Sequence, residues 1–253
     1  MNITELIVQY SRGTWGNQLE SLQEADMVEI QLGQGASGGL SSTVHVRRID
    51  PNLRSRLGLS PGQSAHVHAV HPEVGQANQL GALVERLREI SGGVPIGVKL
   101  AAGRRLERDL ELSLQAGVDV IALDGAQAAT KGSPPILQDD FGIPTLHALI
   151  RAQRFLEETG RRDQVSLVVG GGLTTPGHFL KAVALGADAV YVGSVALFAM
   201  SHRQQFKSLP WEPPTQVVFY GGHQEDQLDV DEAAHALARF LRSCAQEMAV
   251  GLR

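Results

Sequence analysis

The stretch SLVVGGGLTTPGHFLKAVALGADAVYVGSVALF, from Ser166 to Phe198, decides the fold that this sequence predicts. Its first residues belong to a short apolar run, Val165–Val169, of the kind that forms a strand buried on both faces. Three glycines, 170–172, follow that strand. A second strand, Ala189–Val192, ends directly at Gly193-Ser194. Two successive strands therefore each end in a turn with an accessible backbone.

The segment between these strands has the signals of a helix. Thr175 stands at the capping position, Pro176 in the first turn and Gly186 at the end. The whole stretch is thus a strand–helix–strand unit. In a (β/α)₈ barrel, the loops after the last two strands commonly bind a phosphate through backbone amides. The sequence predicts such a barrel and a phosphorylated ligand.

The same alternation extends toward the N-terminus. The strand-like runs are Met27–Leu32, Ile96–Leu100, Val118–Leu123, Val165–Val169 and Ala189–Val192, and the helix-like segments are Gln79–Ile90, Arg105–Ala116, Pro144–Thr159 and Pro176–Leu185. Alternating strands and helices are typical of a parallel sheet. Ser41–Gln76 is less regular, and we interpret it as a long excursion loop.

Five strands are too few for a closed eight-stranded barrel. Either further strands are hidden in the sequence, or the chain holds only the C-terminal five or so βα units of a (β/α)₈ TIM barrel. We predict a partial barrel domain over residues 1–208. Residues 209–253 are predicted to form a connector and an amphipathic helix packed on that barrel.

The predicted connector contains LPWEPP (Leu209–Pro214) and an apolar run, Val217–Tyr220. In the terminal helix, Asp229 and Glu232 have capping-box spacing. One face of that helix is apolar and is expected to be core or interface; it carries Val230, Ala233, Leu237, Phe240, Leu241, Cys244 and Met248.

Composition narrows the functional classes. The chain has 253 residues, 43% hydrophobic and 19% charged, which is typical of one large globular domain. Its net charge of −5 argues against a nucleic-acid surface. No apolar run is long enough to span a membrane, and no signal pattern opens the chain, so we expect a cytoplasmic protein. Cys244 is the one cysteine, which by itself cannot hold an iron–sulfur cluster.

Three positions could carry chemistry at strand ends. Gln34 and Gly35 lie in LGQGASGG (Leu32–Gly39), where either a ligand or a plain surface turn explains the glycines. Lys99 lies in an apolar strand end and either faces an anionic ligand or pairs with a neighbouring aspartate. Asp124 follows the next strand and either serves the site or caps the turn.

Other polar groups are weaker candidates. Asp139 and Asp140 are adjacent, so we interpret them as loop or capping residues. His66 and His68 would share one face of a strand, with His71 nearby, but no cysteine accompanies them, and we predict no metal site.

Four motifs together resemble the FMN-binding domain of the glutamate synthase family: EIQLGQGA (Glu29–Ala36), PIGVKLA (Pro95–Ala101), DVIALDGAQAATKGSPP (Asp119–Pro135) and VGGGLTTPGHFLKAVALGADAVYVGS (Val169–Ser194). The resemblance runs from about Ile7 through the terminal helix, and it is closest to short bacterial FMN-binding members. It implies a (β/α)₈ barrel with FMN at its mouth.

The resemblance also implies roles for individual residues. Gly171, Gly172, Gly193 and Ser194 would hold the FMN phosphate. Lys99 would stabilise negative charge on the reduced flavin, Gln34 and Gly35 would border the ring and the substrate, and Asp124 would sit at the adjacent strand end. The implied reaction is reductive amination of 2-oxoglutarate to glutamate, with the redox chemistry belonging to the flavin.

The chain departs from that family at three places. Ser37 replaces a lysine, Ala128 and Ala129 replace two glycines, and residues 199–206 lack the cysteines of the larger enzymes. The family's barrel also begins before the equivalent of Met1, so we expect a second chain, or a second copy, to complete the barrel.

We therefore predict an FMN-dependent oxidoreductase of glutamate synthase type that acts on a small molecule. Two alternatives stay open at this point. One is a non-catalytic barrel subunit that needs a partner chain. The other is a non-redox barrel enzyme that uses the phosphate-binding turns for a different phosphorylated ligand.

Overall fold

The computed structural model describes residues 5–13, 17–35, 40–76, 79–129, 136–137, 141–206 and 224–253. Its centre is a six-stranded parallel sheet with its strands in chain order: β1 (Ile7–Tyr10), β2 (Met27–Gln31), β5 (Ile96–Ala101), β6 (Val120–Asp124), β7 (Ser166–Gly170) and β8 (Ala189–Tyr191). Neighbouring parallel strands in chain order are the topology of a (β/α) barrel. The predicted fold class, a partial barrel, is confirmed.

The helices among the described residues are α1 (Leu19–Gln23), α2 (Pro51–Arg56), α3 (Gln79–Ile90), α4 (Leu106–Gln115), α5 (Thr145–Glu158), α6 (Pro176–Ala184), α7 (Ser194–Ser201) and α8 (Val230–Gly251). The four predicted helices between strands are confirmed as α3 to α6 to within one residue at each end. Thr175 caps α6 as predicted, because its side chain accepts a hydrogen bond from the amide of His178 at 3.2 Å.

The hydrophobic core lies between one face of the sheet and these helices. Every second residue of β2, β5, β6 and β7 points toward it, and the fully buried members include Val28, Ile30, Ile96, Val98, Ile121, Leu123, Leu167 and Val169. Leucines of α3, α4 and α5 fill the other side of this layer. Each such side chain contributes roughly 1.5–3 kcal/mol on burial, so this layer fixes the sheet.

One strand of the sheet was not predicted. β1 has only four residues, IVQY, and its side chains alternate between exposed and half-buried. It pairs with β2 on one side, in register Ile7 with Met27. A short edge strand of this kind lacks the continuous apolar run by which buried strands are identified, which explains why the sequence analysis missed it.

The interpretation of Ser41–Gln76 as a loop is wrong in part. It contains α2 and an antiparallel pair of three-residue strands, β3 (Ser42–Val44) and β4 (Ala65–Val67). A small separate core of Ile49, Leu59 and Ala65 supports them. Strands this short show too few alternations for a pattern to be visible.

The terminal helix α8 packs against α6 and α7. Asp229 caps it as predicted, accepting from the amide of Glu232 at 2.9 Å. Ala233 and Cys244 are buried, but Val230 is 70% exposed and does not belong to the buried face as predicted. The predicted connector, Leu209–Pro214 with Val217–Tyr220, lies outside the described residues, and the division at residue 209 stays a prediction. None of the described helices combines the length and the apolar character needed to span a membrane.

Candidate functional site at the carboxyl ends of the strands

A buried ion pair lies on the inner face of the sheet, opposite the helices. The ammonium Nζ of Lys99 is 3.5 Å from Oδ2 of Asp124, and their side chains are only 15% and 4% exposed. Strand register explains the meeting, because Asp124 pairs with Ala101 on the neighbouring strand, two residues beyond Lys99 and on the same face. The sequence left two explanations for Lys99, an anionic ligand or a neighbouring aspartate. The structure shows the pairing with an aspartate.

Asp124 has an unusual protonation equilibrium. Burial raises the pKa of its carboxyl from 3.8 to about 6, and the negative charge of Glu29 acts in the same direction. The positive charge of Lys99 and a hydrogen bond from the backbone amide of Gly35 oppose this rise in pKa. Asp124 is thus a buried acid whose pKa is raised toward neutral pH.

The shift in the Asp124 pKa predicts a pH dependence of stability. Between the two pKa values, the folded state holds a proton that the unfolded state has lost, so this group's contribution to stability increases as pH falls from about 7 to about 4. The full effect is roughly 3 kcal/mol, from about two pKa units. We expect the unfolding free energy of wild type, relative to Asp124→Asn, to rise by about that amount across this range. Chemical denaturation at each pH measures it.

Asp163→Asn serves as the control, because the Asp163 side chain is exposed and its carboxylate stays in water. Its stability relative to wild type should be nearly constant over the same range. A constant difference between wild type and Asp124→Asn would show that Asp124 titrates normally and would contradict the prediction.

Glu29 adds a second buried carboxylate to this face. The residue is 4% exposed, and Nε2 of Gln9 donates to its Oε1 at 2.8 Å. Its Oε2 is buried with no hydrogen-bond partner in the part of the chain that the structure describes. The nearby phenol of Tyr191 has a raised pKa, first because of burial and then because of the charge of Glu29.

Tyr191 also connects this carboxylate to the ion pair. Its ring centroid lies 5.5 Å from Nζ of Lys99, within range of a cation–π contact. Lys99 is therefore close to both the carboxylate of Asp124 and the aromatic ring of Tyr191. Lys99, Asp124, Glu29 and Tyr191 are called the inner-face cluster below.

Three of the predicted ligand-binding glycines are tightly packed: Gly35, Gly171 and Gly172, where a Cβ would lie 2.8 Å from Cβ of Gln127. Gly35 has φ of 45° and Gly171 has φ of 116°. A Cβ at Gly35 would lie 2.5 Å from the carbonyl oxygen of Ala128, and one at Gly171 would lie 2.7 Å from the amide nitrogen of Ala128. The short 3₁₀ turn Ala126–Ala128 therefore lies between the loops that follow β2 and β7. At positions 35 and 171, glycine is required for this contact.

Thr145 holds the same turn in place through hydrogen bonds. Its hydroxyl donates to the carbonyl of Gly171 at 2.8 Å, and its amide donates to Oε1 of Gln127 at 2.9 Å. Gly125, at the start of the turn, packs directly against Thr145. The loops after β6 and β7 thus form one hydrogen-bonded unit at the carboxyl edge of the sheet.

Gly193 and Ser194 are placed differently, because both are exposed. A Cβ at Gly193 would have no neighbour within 4 Å. Ser194 begins α7, and the amides of Gly172, Gly193 and Ser194 have no acceptor among the described residues. Gly170 pairs with Tyr191, so the turns containing Gly172 and Gly193 are adjacent. Unpaired amides at the start of a helix are suited to an anion.

The remaining predicted residues make other contacts or lie outside the described residues. Gln34 is half-buried, and its Oε1 accepts from Nε2 of Gln31 at 2.9 Å. Ser37, Asp139 and Asp140 lie outside the described residues. The imidazole of His66 contacts the hydroxyl of Thr43 at 2.9 Å. Across the described ranges, no three side chains of the types that bind metals come together.

Sequence reasoning missed Glu29 and Tyr191 as members of the site. A signal for Glu29 was available, since a charged residue stands between Val28 and Ile30 in an otherwise apolar strand. Glu29 and Tyr191 are far apart in sequence, so the sequence does not predict that they lie close together. Their proximity depends on the curvature and register of the whole sheet. Tyr191 by itself is an ordinary strand residue.

Comparison with protein families decides where this chain belongs. The family model described as the conserved region in glutamate synthase matches residues 1–251. The chain belongs to the glutamate synthase family. An archaeal-type glutamate synthase [NADPH] from Dehalococcoides mccartyi is 34% identical over 195 residues, which cover 77% of this chain and 39% of that protein. A glutamate synthase large subunit-like protein from Rhizobium meliloti is also 34% identical, over 77% of this chain and 44% of that protein.

Solved structures agree on the fold. A flavocytochrome b2 variant with sulfite bound aligns with a TM-score of 0.50 at 17% identity, covering 77% of this chain and 43% of that chain. At this identity the likeness shows the fold alone. The chain spans about 39% of the length of the first curated relatives it matches.

Proposed function

We propose that this chain contributes the flavin-binding mouth of a glutamate synthase-type oxidoreductase, with FMN as cofactor. One observation carries the proposal: a buried Lys99–Asp124 pair lies at the same edge of the sheet as the unpaired amides of Gly172, Gly193 and Ser194. A fixed cation and an anion-binding turn are the two groups that a flavin mononucleotide needs from a protein. Family membership supplies the reaction class.

The residues fit the phosphate end of FMN. The turns containing Gly172 and Gly193 are adjacent and exposed, and Ser194 adds a hydroxyl to their amides. In this proposal Gly171 shapes the turn through its positive φ, while the other three donate to the phosphate. The geometry matches anion binding at a helix N-terminus, because α7 starts at Ser194.

The inner-face cluster would serve the ring end. FMN, when bound, supplies the two-electron chemistry of reductive amination. Lys99 presents a positive charge to the part of the ligand that becomes negative, in a site where burial strengthens the interaction. Asp124 orients Lys99 and, with a pKa of about 6, can hold a proton near neutral pH. Gln34 and Gly35 would border the ring and the substrate.

We also propose that strands from outside this stretch of chain complete the barrel. A closed barrel of this type has eight strands, and the parallel sheet of the described residues has six, with β1 and β8 at its edges. Leu6 and Ile7 beside the first edge are 47% and 48% exposed. A further segment, a second chain or a second copy would cover them, and 2-oxoglutarate with ammonia is the substrate pair that family membership favours.

Ser194→Glu tests the phosphate site. The substitution places a negative charge at an exposed position where the phosphate would lie, so FMN affinity should fall at least tenfold while riboflavin, which lacks the phosphate, is unaffected. Fluorescence titration with both flavins measures this. Ser60→Glu, an exposed serine in the Ser41–Gln76 segment, adds the same charge elsewhere and should change neither affinity.

Three results would count against the proposal. Equal affinity of wild type for FMN and riboflavin would show that no phosphate site exists. An equal loss in both variants would show a general charge effect. Binding of neither flavin would favour the non-catalytic subunit.

A further inference from the structure

The proposed function gives Glu29 of the inner-face cluster no role. The residue lies in the middle of β2, between the fully buried Val28 and Ile30, and is itself only 4% exposed. A carboxyl side chain is rarely buried to this degree without a specific reason. Its one printed hydrogen bond among the described residues comes from the neutral amide of Gln9, and its Oε2 accepts none there. Gln9 therefore holds the carboxylate in place without compensating its charge.

Strand register places Glu29 beside Lys99. Glu29 pairs with Gly97, and Gln31 pairs with Lys99, so Glu29 lies on the neighbouring strand, on the same face and two residues before the level of Lys99. The spacing and rise of strands put their Cα atoms roughly 8 Å apart. The end of the Met27 side chain lies over Gly97, which keeps this part of the face apolar. Little therefore screens the two charges from each other.

The charge of Glu29 also acts on the two groups that contact Lys99. Burial is the main cause of the raised pKa of Asp124, and the charge of Glu29 adds to it. Burial and then the charge of Glu29 raise the pKa of the Tyr191 phenol. Asp124 is thus faced by Lys99 from β5, Glu29 from β2 and Tyr191 from β8, together with the backbone amide of Gly35. This cluster contains one cation and two carboxylates.

We propose that Glu29 is a positioning residue that acts by charge: it offsets the cation of Lys99 and so limits how strongly the site stabilises a negative ring. The inference rests on the proposed function. Reduction of a flavin by two electrons with uptake of one proton leaves one negative charge on the ring. Lys99 favours that charge and Glu29 opposes it from a distance, without touching the ligand, because Coulomb interactions are strong in a buried site. Glu29 thereby favours transfer of the electrons onward to the substrate.

Glu29→Gln tests this role, because glutamine keeps the shape and can still accept from Gln9. The reduction potential of FMN bound to the full chain is measured at pH 8, with xanthine oxidase as electron source and a reference dye. The affinity for reduced relative to oxidised FMN should rise at least tenfold, which raises the potential by about 30 mV or more for a two-electron couple. Glu29→Asp keeps the charge and should stay within twofold of wild type. Glu158→Gln removes a carboxylate at the exposed end of α5 and should have no effect.

A second measurement needs no flavin. The pH dependence of the unfolding free energy, compared with and without Asp124→Asn, reports the titration of Asp124. Its midpoint should move to lower pH by roughly half a unit or more in the Glu29→Gln background, because the charge of Glu29 no longer adds to the raised pKa. The midpoint should not move in the Glu158→Gln background.

The outcomes separate this inference from the proposed function. An unshifted Asp124 midpoint in Glu29→Gln would show that the charge of Glu29 does not reach the cluster and would overturn the inference. Equal potentials of wild type and Glu29→Gln, in proteins that bind FMN, would overturn the inference alone. Failure of wild type to bind FMN, with or without the strands that complete the barrel, would defeat the proposed function and this role of Glu29 with it.

Discussion

Replacing Lys99 with methionine should lower the free energy of unfolding by about 3 kcal/mol near pH 8. Methionine keeps the apolar stem but removes the cation, which leaves the buried carboxylates of Asp124 and Glu29 facing each other without compensation. The same variant should lose flavin affinity, since its cation would no longer face the ring. Denaturant unfolding followed by circular dichroism measures the stability change.

The pH dependence of this loss separates charge from packing. Without Lys99, the pKa of Asp124 rises above its present value of about 6, so near pH 5 the carboxyl is protonated and the penalty falls to about 1 kcal/mol. Lys181→Met on α6, where the side chain is exposed, is the matched control and should cost little at either pH. A loss in Lys99→Met that is equal at both pH values would indicate a packing effect and contradict this account.

Gly171→Ala should destabilise the protein by about 3 kcal/mol or more. Its φ of 116° lies in a region that residues with a Cβ rarely adopt. The new methyl group would also lie 2.7 Å from the amide nitrogen of Ala128 and from the hydroxyl of Thr145. Neither atom can move freely, because Thr145 holds both loops through hydrogen bonds. Thermal and denaturant unfolding measure the loss.

Substitutions at two other glycines separate the two causes of this loss, backbone strain and steric overlap. Gly117 has φ of 76°, and a methyl group added there would have no neighbour within 4 Å, so Gly117→Ala should cost only about 1 kcal/mol from backbone strain. Gly193 has a negative φ and an equally open surrounding, so Gly193→Ala should be nearly neutral. If Gly171→Ala were no worse than Gly117→Ala, the close packing of the loops after β6 and β7 would be wrong.

The sequence predicted the part of the fold that local patterns specify. The unit β7–α6–β8 was identified because apolar strands, a capping threonine and terminal glycines all lie within Ser166–Phe198. The edge strand β1 was missed because its burial depends on one neighbour only. The hairpin-like pair in Ser41–Gln76 was missed because its strands are three residues long.

The candidate site was predictable only where a single residue stood out. Lys99 and Asp124 were identified as polar residues at apolar strand ends, but their mutual contact depends on the register between β5 and β6. Glu29 and Tyr191 come from strands far apart in sequence and meet across the curved sheet. Alternation within one strand gives the face on which a side chain lies, and it gives no information about which strand lies opposite.

The glycines show a different limit. The sequence leaves two explanations for Gly35, a ligand or a plain surface turn, and the family resemblance implies a phosphate contact at Gly171. In the structure, the turn Ala126–Ala128 occupies that close approach at both positions. A requirement for glycine identifies a tight contact, and only the fold reveals whether a ligand or another loop makes it. Gln127 of the same turn also packs against Gly172, whereas a Cβ at Gly193 would have no neighbour within 4 Å.

The most direct test of flavin binding is the visible absorption spectrum of the purified full chain, before and after denaturation, with and without added FMN. We expect a protein-bound flavin spectrum that differs from that of free FMN, with FMN as the chromophore released on denaturation. After anaerobic reduction, the flavin band should return faster when 2-oxoglutarate and ammonium are added together than when either is added alone. A spectrum that never changes with FMN, both for the folded chain alone and for the chain with the strands that complete the barrel, would contradict the proposed function.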